Sequence, residues 1–253
     1  MNDWNSNQYT KFEKERTLPS IDLINRINIT PKSILDIGCG PGNSTNQLYE
    51  HFSDADILGI DNSDNMLSKA KKTYPHLKFN KCFVPDELDN MGSYDLIFSN
   101  ACLHWIPDHK NLFPRIMNKL NHGGIFAVQM PLVQDAMFYK VLNTLISQNK
   151  WKKLNAIQNF HNLTPNETYD VLSEISKEIS MWETTYYHIV PSYISVIDWY
   201  KGSGLRPYLE MLDSTEQTEF LNELLEMIKN NYPVQADGCV ILKMPRLFFT
   251  AIR

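Results

Sequence analysis

"SILDIGCGPGNSTNQL" occupies residues 33–48, and its reading decides the fold. "SILDI" (33–37) is a short, nearly continuous apolar run, the pattern of a strand covered on both faces. "GCGPG" (38–42) places Gly38, Gly40 and Gly42 at alternate positions, a turn that leaves backbone N–H groups accessible. "NSTNQLYEHF" (43–52) then reads as a helix. A strand, a glycine-rich turn and a helix in this order form a loop that holds a cofactor at the edge of a parallel sheet. Such a loop suits a dinucleotide, a nucleoside triphosphate or a group carrying positive charge.

The flanking sequence repeats the rhythm. "DILGI" (56–60) is a strand, and "SDNMLSKAKKTY" (63–74) a helix opened by a Ser63 cap. "HLKFNKCF" (76–83) and "YDLIFSN" (94–100) are strands, Asp108 caps a helix running to about Leu120, and "GGIFAVQM" (123–130) is a strand. Apolar strands alternating with helices predict an α/β fold of Rossmann type, with a parallel sheet between two helical layers. Upstream, Tyr9, Phe12 and Arg16 share one helical face within residues 8–17, and Pro19 interrupts that pattern. Downstream, residues 135–180 are mostly helical and "WETTYYHIV" (182–190) is a strand. Residues 192–232 are helical with a break at "GSGLRP" (202–207), and "CVILKMPRLFFTAI" (239–252) is strand-like around Pro245. The expected organisation is one domain. It has an N-terminal helical gate (1–32), a cofactor-binding core (33–130), a helical cap (131–235) that includes the strand near 182–190, and a C-terminal strand region (236–253).

Composition narrows the classes. The chain has 253 residues, of which 43% are hydrophobic, enough for a full core. A formal charge of −5 and a pI near 5.8 argue against nucleic acid as partner, which needs a basic face. The four cysteines form no Cys-x-x-Cys pair, so zinc and redox motifs are not expected. The polar start does not read as an export signal, and no apolar run is long enough for a membrane. The expectation is a cytoplasmic protein without nucleic-acid or membrane partners.

The loop itself separates the cofactor classes. Pro41 removes an N–H that a pyrophosphate would use. Asp36 places a carboxylate just before the turn, where it repels phosphate and attracts an ammonium or sulfonium. No Gly-Lys-Ser/Thr follows, which excludes a triphosphate loop. S-adenosylmethionine (SAM) matches best, since it carries an ammonium and a sulfonium but no phosphate. Asp61 ends the second strand, where an acid accepts ribose hydroxyls; NAD sites use the same device, so it reports a ribose only.

With those residues in place, the chain resembles class I SAM-dependent methyltransferases, and among them the trans-aconitate 2-methyltransferases. The resemblance spans nearly the whole chain. It is carried by "DW…Y…F…ER…P" at 3–19, "LDIGCGPGNST" (35–45), "GIDNSDNML" (59–67) and "YDLIFSNACLHWIPDH" (94–109). "TTYYHIVPS" (184–192), "GLRPYL" (204–209) and "PRLFF" (245–249) add the more specific part. It implies a seven-stranded, mostly parallel sheet with an antiparallel last strand, and methyl transfer from SAM to a carboxylate, leaving S-adenosylhomocysteine (SAH). The expected cofactor residues are Asp36, Gly38, Gly40, Gly42, Asp61, Asn62, Met66, Phe83 and Asn100, with Tyr9 and Arg16 closing over the methionine carboxylate. Phe83 stands where the family usually has an Asp for the adenine amino group. Either Asp86 substitutes, or backbone and apolar contacts hold the adenine.

The chemistry implied needs no acid–base pair and no metal, because a carboxylate is ionised at neutral pH and SAM is already activated. Binding a polycarboxylate on an acidic chain needs local cations. Arg206 and Arg246 sit beside prolines in apolar surroundings, and a buried guanidinium requires an anion: substrate, or a structural Asp or Glu. His104 and Trp105 follow the fourth strand and are candidates to line the transfer site. Tyr186, Tyr187 and His188 join the substrate set, although alternation along a strand sends Tyr187 the other way from its neighbours. The alternatives are methylation of another carboxylate, such as a malonyl thioester on a carrier protein, or SAM binding without catalysis.

Overall fold

The computed structural model describes residues 3, 11–158 and 160–253. Among these the strands are β1 (Ser33–Ile37), β2 (Asp56–Asp61), β3 (Lys78–Lys81), β4 (Tyr94–Asn100), β5 (Leu120–Pro131), β6 (Glu178–Val190) and β7 (Val240–Ile252). They form a seven-stranded sheet in the order β3-β2-β1-β4-β5-β7-β6. β1 pairs in parallel with β2 and β4, and β2 with β3 and β4 with β5 are parallel too. β7 runs antiparallel to β5: Gly123 N–H donates to Arg253 O and Leu132 N–H to Pro245 O, so one strand ascends as the other descends. The order reverses between β1 and β4, the crevice where open parallel sheets bind ligands.

The helices are α1 (Glu13–Ile24), α2 (Asn43–His51), α3 (Asp64–Thr73), α4 (His109–Met117), α5 (Met137–Ile146), α6 (Pro165–Ser173), α7 (Tyr193–Lys201), α8 (Arg206–Glu210) and α9 (Ser214–Asn231). Ser63 caps α3 as expected, its Oγ accepting from Met66 N–H at 3.1 Å. α1 does not stop at Pro19; the helix carries the proline inside and ends by burying Leu23 and Ile24. The third strand is shorter than 76–83, and α4 ends at Met117. Asp108 adopts φ 60° and makes no side-chain cap there. The stretch 135–180 is less helical than its composition suggests: residues 157, 158 and 160–164 lie outside any helix, and β6 starts at Glu178 rather than 182.

The chain clusters into two compact units. The loop-bearing unit holds residues 13–131, 160–184 and 247–253. Its core packs Leu35, Ile37, Ile97, Phe113, Phe126 and Phe249, with those three phenylalanine rings 5.4–5.6 Å apart in pairs. The helical unit holds, of the described residues, 3, 11, 12, 132–158 and 185–246. There Phe138 stacks on Tyr200 at 3.5 Å and Trp151 meets Phe220 edge-on at 5.1 Å. Buried aromatic pairs of this kind add to the area they remove from water.

Candidate cofactor and substrate site

Asp36 lies on the middle strand, in register with Gly59 of β2 and Phe98 of β4. Its carboxyl is 0% exposed. Oδ2 accepts hydrogen bonds from the hydroxyls of Ser44 and Thr45, both at 2.7 Å, from the first turn of α2. Oδ1 is buried with no hydrogen-bond partner. Burial pushes the Asp36 pKa up to about 6; the two hydroxyls oppose that, and the charge of Asp61 adds to it.

The glycine turn is tied across the end of β2. Gly38 and Cys39 N–H both donate to Ile60 O, at 2.8 and 3.0 Å. Gly38 has φ +76°, and a Cβ there would lie 2.2 Å from Cys102 Sγ, so only glycine fits beneath the segment that follows β4. Gly40 is different: with φ +54°, a Cβ built on it would meet nothing within 4 Å. The loop is closed on one side and open on the other. Gly42 is the left-handed N-cap of α2. Cys39 and Cys102 flank the turn as neutral thiols, pushed up chiefly by burial.

Asp61 already has work in this arrangement. Its Oδ2 accepts from Gly40 N–H and its Oδ1 from Ser63 N–H, both at 2.9 Å. The carboxylate thus pins the loop to the start of α3, at the end of the strand where an acid is expected to meet a ribose. Asn62 beside it is exposed, whereas the Met66 side chain is buried in α3. Phe83 is 46% exposed. Its N–H donates to Glu87 Oε2 at 2.7 Å, and Lys81 Nζ lies 5.5 Å from its ring. Asp86 is exposed. Asn100 closes β4 with its Oδ1 buried and without a partner. The unpaired oxygens of Asp36 and Asn100, the open face at Gly40 and the carboxylate of Asp61 suit a ligand rich in donors and bearing positive charge, as SAM is. The turn has no lysine to neutralise a phosphate.

His104 and Trp105 form a 3₁₀ turn just after β4. His104 is buried against Phe160 (5.6 Å, stacked), and Trp105 contacts the same ring at 4.7 Å. Phe160 carried no signal in the sequence; it comes from a distant segment held by His161 N–H donating to His104 O. Arg16 is half-buried in α1, whose Glu13 accepts from Asn43 Nδ2 of α2 at 2.6 Å. Tyr9 lies outside the described residues.

The helical unit collects a second group. His188 is 5% exposed and stacks with both Tyr186 (6.0 Å) and Trp199 (4.7 Å), and Trp199 in turn contacts Phe12 at 4.7 Å. Arg246 is 7% exposed, with its guanidinium carbon 5.9 Å from the Tyr186 ring centroid. Tyr187, 63% exposed, points away from Tyr186 and His188 and does not join them. Arg206 has an acid nearby in its own helix: its Nε lies 3.9 Å from Glu210 Oε1. Burial lowers its pKa while Glu210 and Asp3 raise it. Arg206 thus has a carboxylate within reach in its own helix, and Arg246 is buried beside an aromatic ring. Among the described residues no cluster of His, Cys, Asp or Glu is arranged to hold a metal, and no helix is long and apolar enough to cross a membrane.

Comparison with known proteins agrees with this architecture. A family described as "Methyltransferase domain" matches residues 31–192. A trans-aconitate 2-methyltransferase of Yersinia pestis (strain Pestoides F) is 38% identical over 259 positions, covering 99% of this chain and 98% of that protein. One from Escherichia coli O157:H7 (strain EC4115 / EHEC) is 38% identical over 255 positions, covering 100% and 99%. The chain belongs to this methyltransferase family, and within it to the group of the trans-aconitate 2-methyltransferases. Among solved structures, phosphoethanolamine N-methyltransferase 2 of Haemonchus contortus in complex with S-adenosyl-L-methionine superposes with a TM-score of 0.61 at 16% identity. That match covers 98% of this chain and 56% of the other. YcgJ of Bacillus subtilis gives 0.59 at 14% identity, covering 93% and 98%. These two share the fold.

Proposed function

We propose that this protein transfers a methyl group from SAM to a carboxylate of trans-aconitate, giving the monomethyl ester and SAH. The observation that carries the reading is the 38% identity to trans-aconitate 2-methyltransferases over 99% of the chain. That match extends beyond the methyltransferase-domain family match at 31–192 and so includes Arg246. Asp36 Oδ1 would take the ammonium of SAM, Asp61 its ribose, and the open face of Gly40 would admit its body. SAM supplies an electrophilic methyl group; the protein's task is to bind, orient and exclude water.

The acid needs no base, because a carboxylate with a pKa near about 4 is ionised at neutral pH. Arg246 would hold one carboxylate of the acid, with His188 and Tyr186 as hydrogen-bonding neighbours fixed by Trp199. His104, Trp105 and Phe160 form an apolar wall suited to keeping water from a reacting oxygen. The test is transfer of labelled methyl from SAM across a panel of mono-, di- and tricarboxylates and an acylated carrier protein. Trans-aconitate should be the best acceptor. Turnover on the carrier protein alone would move the assignment to a malonyl-type thioester, and SAM binding with no turnover on any acceptor would mark a non-catalytic binder.

A further inference from the structure

The hydroxyls of Ser44 and Thr45 converge on one oxygen of a buried acid. We infer that Ser44 and Thr45 are positioning residues that hold Asp36 so that a proton and the ammonium of the donor compete for its Oδ1; this rests on the reading of SAM as the donor. Two donors at 2.7 Å occupy Oδ2 and fix the carboxyl plane. Oδ1 is left buried and without a partner. An ionised oxygen in that state is costly, so below about pH 6 the ligand-free protein keeps a proton there.

The surroundings make the competition sharp. The charged group facing Asp36 is Asp61 at the end of β2, which raises the Asp36 pKa behind the larger effect of burial. Cys39 from the turn and Cys102 after β4 also face this region, and both thiols are pushed up by burial and stay neutral. The hydroxyls pull the other way, keeping Asp36 near about 6. Binding then exchanges one cation for another: the carboxylic acid and the ligand ammonium give a carboxylate–ammonium pair, and one proton leaves to solvent.

Calorimetry with SAH, which keeps the ammonium and cannot methylate, tests this on the full chain. Titrations between about pH 5 and 8, in buffers of different ionisation enthalpy, count the protons released. Close to one proton per SAH should leave near about pH 5 and none near 8, with affinity falling roughly tenfold per pH unit below about 6. Ser44→Ala and Thr45→Val should each move that midpoint up by roughly one pH unit, with affinity recovering toward wild type in mild alkali. A wild-type affinity that is flat with pH and releases no proton overturns the competition. Variants that lose the same factor at every pH overturn the positioning role, since a merely structural hydroxyl has no reason to act through pH. Absence of SAH binding at any pH overturns the donor reading and this inference with it.

Discussion

Asp36 concentrates the energetics of the site in one carboxyl. Its pKa rises from 3.8 to about 6 on folding, the reverse of the usual acid. Between those values the unfolded chain has lost the proton and the folded one retains it, so stability is highest below the lower value and falls as pH rises through the upper. The loss amounts to about 3 kcal/mol by neutral pH at 1.36 kcal/mol per unit. Asp36→Asn removes that burden, and we expect ligand-free protein to resist urea better than wild type at pH 7 and no better below about pH 4. Equal midpoints at both pH values would show that Asp36 ionises freely. Arg246 offers a second single-residue test. Losing one side of a desolvated charge pair costs about 2–5 kcal/mol, so Arg246→Ala should lower kcat/KM by roughly 30-fold or more while SAM affinity holds. Lysine should rescue only in part, for want of the planar fork. Unchanged kcat/KM in a folded Arg246→Ala protein removes it from the acid's binding set.

The glycine turn, taken as one element, makes a contrast that separates packing from binding. A methyl at Gly38 meets Cys102 Sγ at 2.2 Å, whereas a methyl at Gly40 meets nothing within 4 Å. Both residues have positive φ, which costs a side chain about 1–2 kcal/mol. Gly38→Ala adds overpacking to that and should lose roughly 2–5 kcal/mol of stability, partly recovered by Cys102→Gly. Gly40→Ala should lose little beyond the backbone cost, yet weaken SAM strongly, because its methyl projects from the open side of the loop. Thermal melts with and without SAH distinguish the two, and a Gly40→Ala protein that binds SAH normally would place the ligand elsewhere. The element was legible in sequence because local chemistry writes it: apolar run, alternate glycines, helix. Its Ser44–Thr45 clamp was equally local, two hydroxyls eight and nine residues past the acid in the first turn of α2, and could have been read from the same stretch. Pro19 misled because a proline costs a helix one hydrogen bond without always ending it, and α1 continues until Leu23 and Ile24 are buried.

At the scale of the whole chain, the rhythm of strands and helices predicts the parallel half of the sheet closely, since each unit there is contiguous. The helical unit was less legible. The stack of Phe12, Trp199, His188 and Tyr186 joins residues from three separate segments, and no periodicity reports which aromatic faces a histidine. Arg206 and Arg246 looked alike in sequence, both beside prolines, but Glu210 stands four residues after the first, on the same face of one helix, and that i,i+4 pairing was local enough to read. One property of the chemistry belongs to the molecule as a whole and to no single residue. An acid that is ionised at neutral pH needs no metal to activate it, and SAM needs none to release its methyl group, so the protein has only to align the two and exclude water. Turnover of trans-aconitate should therefore be the same, within about twofold, before and after dialysis against EDTA, a change far smaller than loss of a metal's Lewis acidity would cause. Added magnesium should bring no gain beyond its effect on ionic strength, which an equivalent of sodium chloride reproduces. Activity abolished by the chelator and restored by magnesium, but not by sodium chloride, would contradict the carboxylate reading. It would point to an acceptor whose oxygen must be ionised by a metal, such as a catechol.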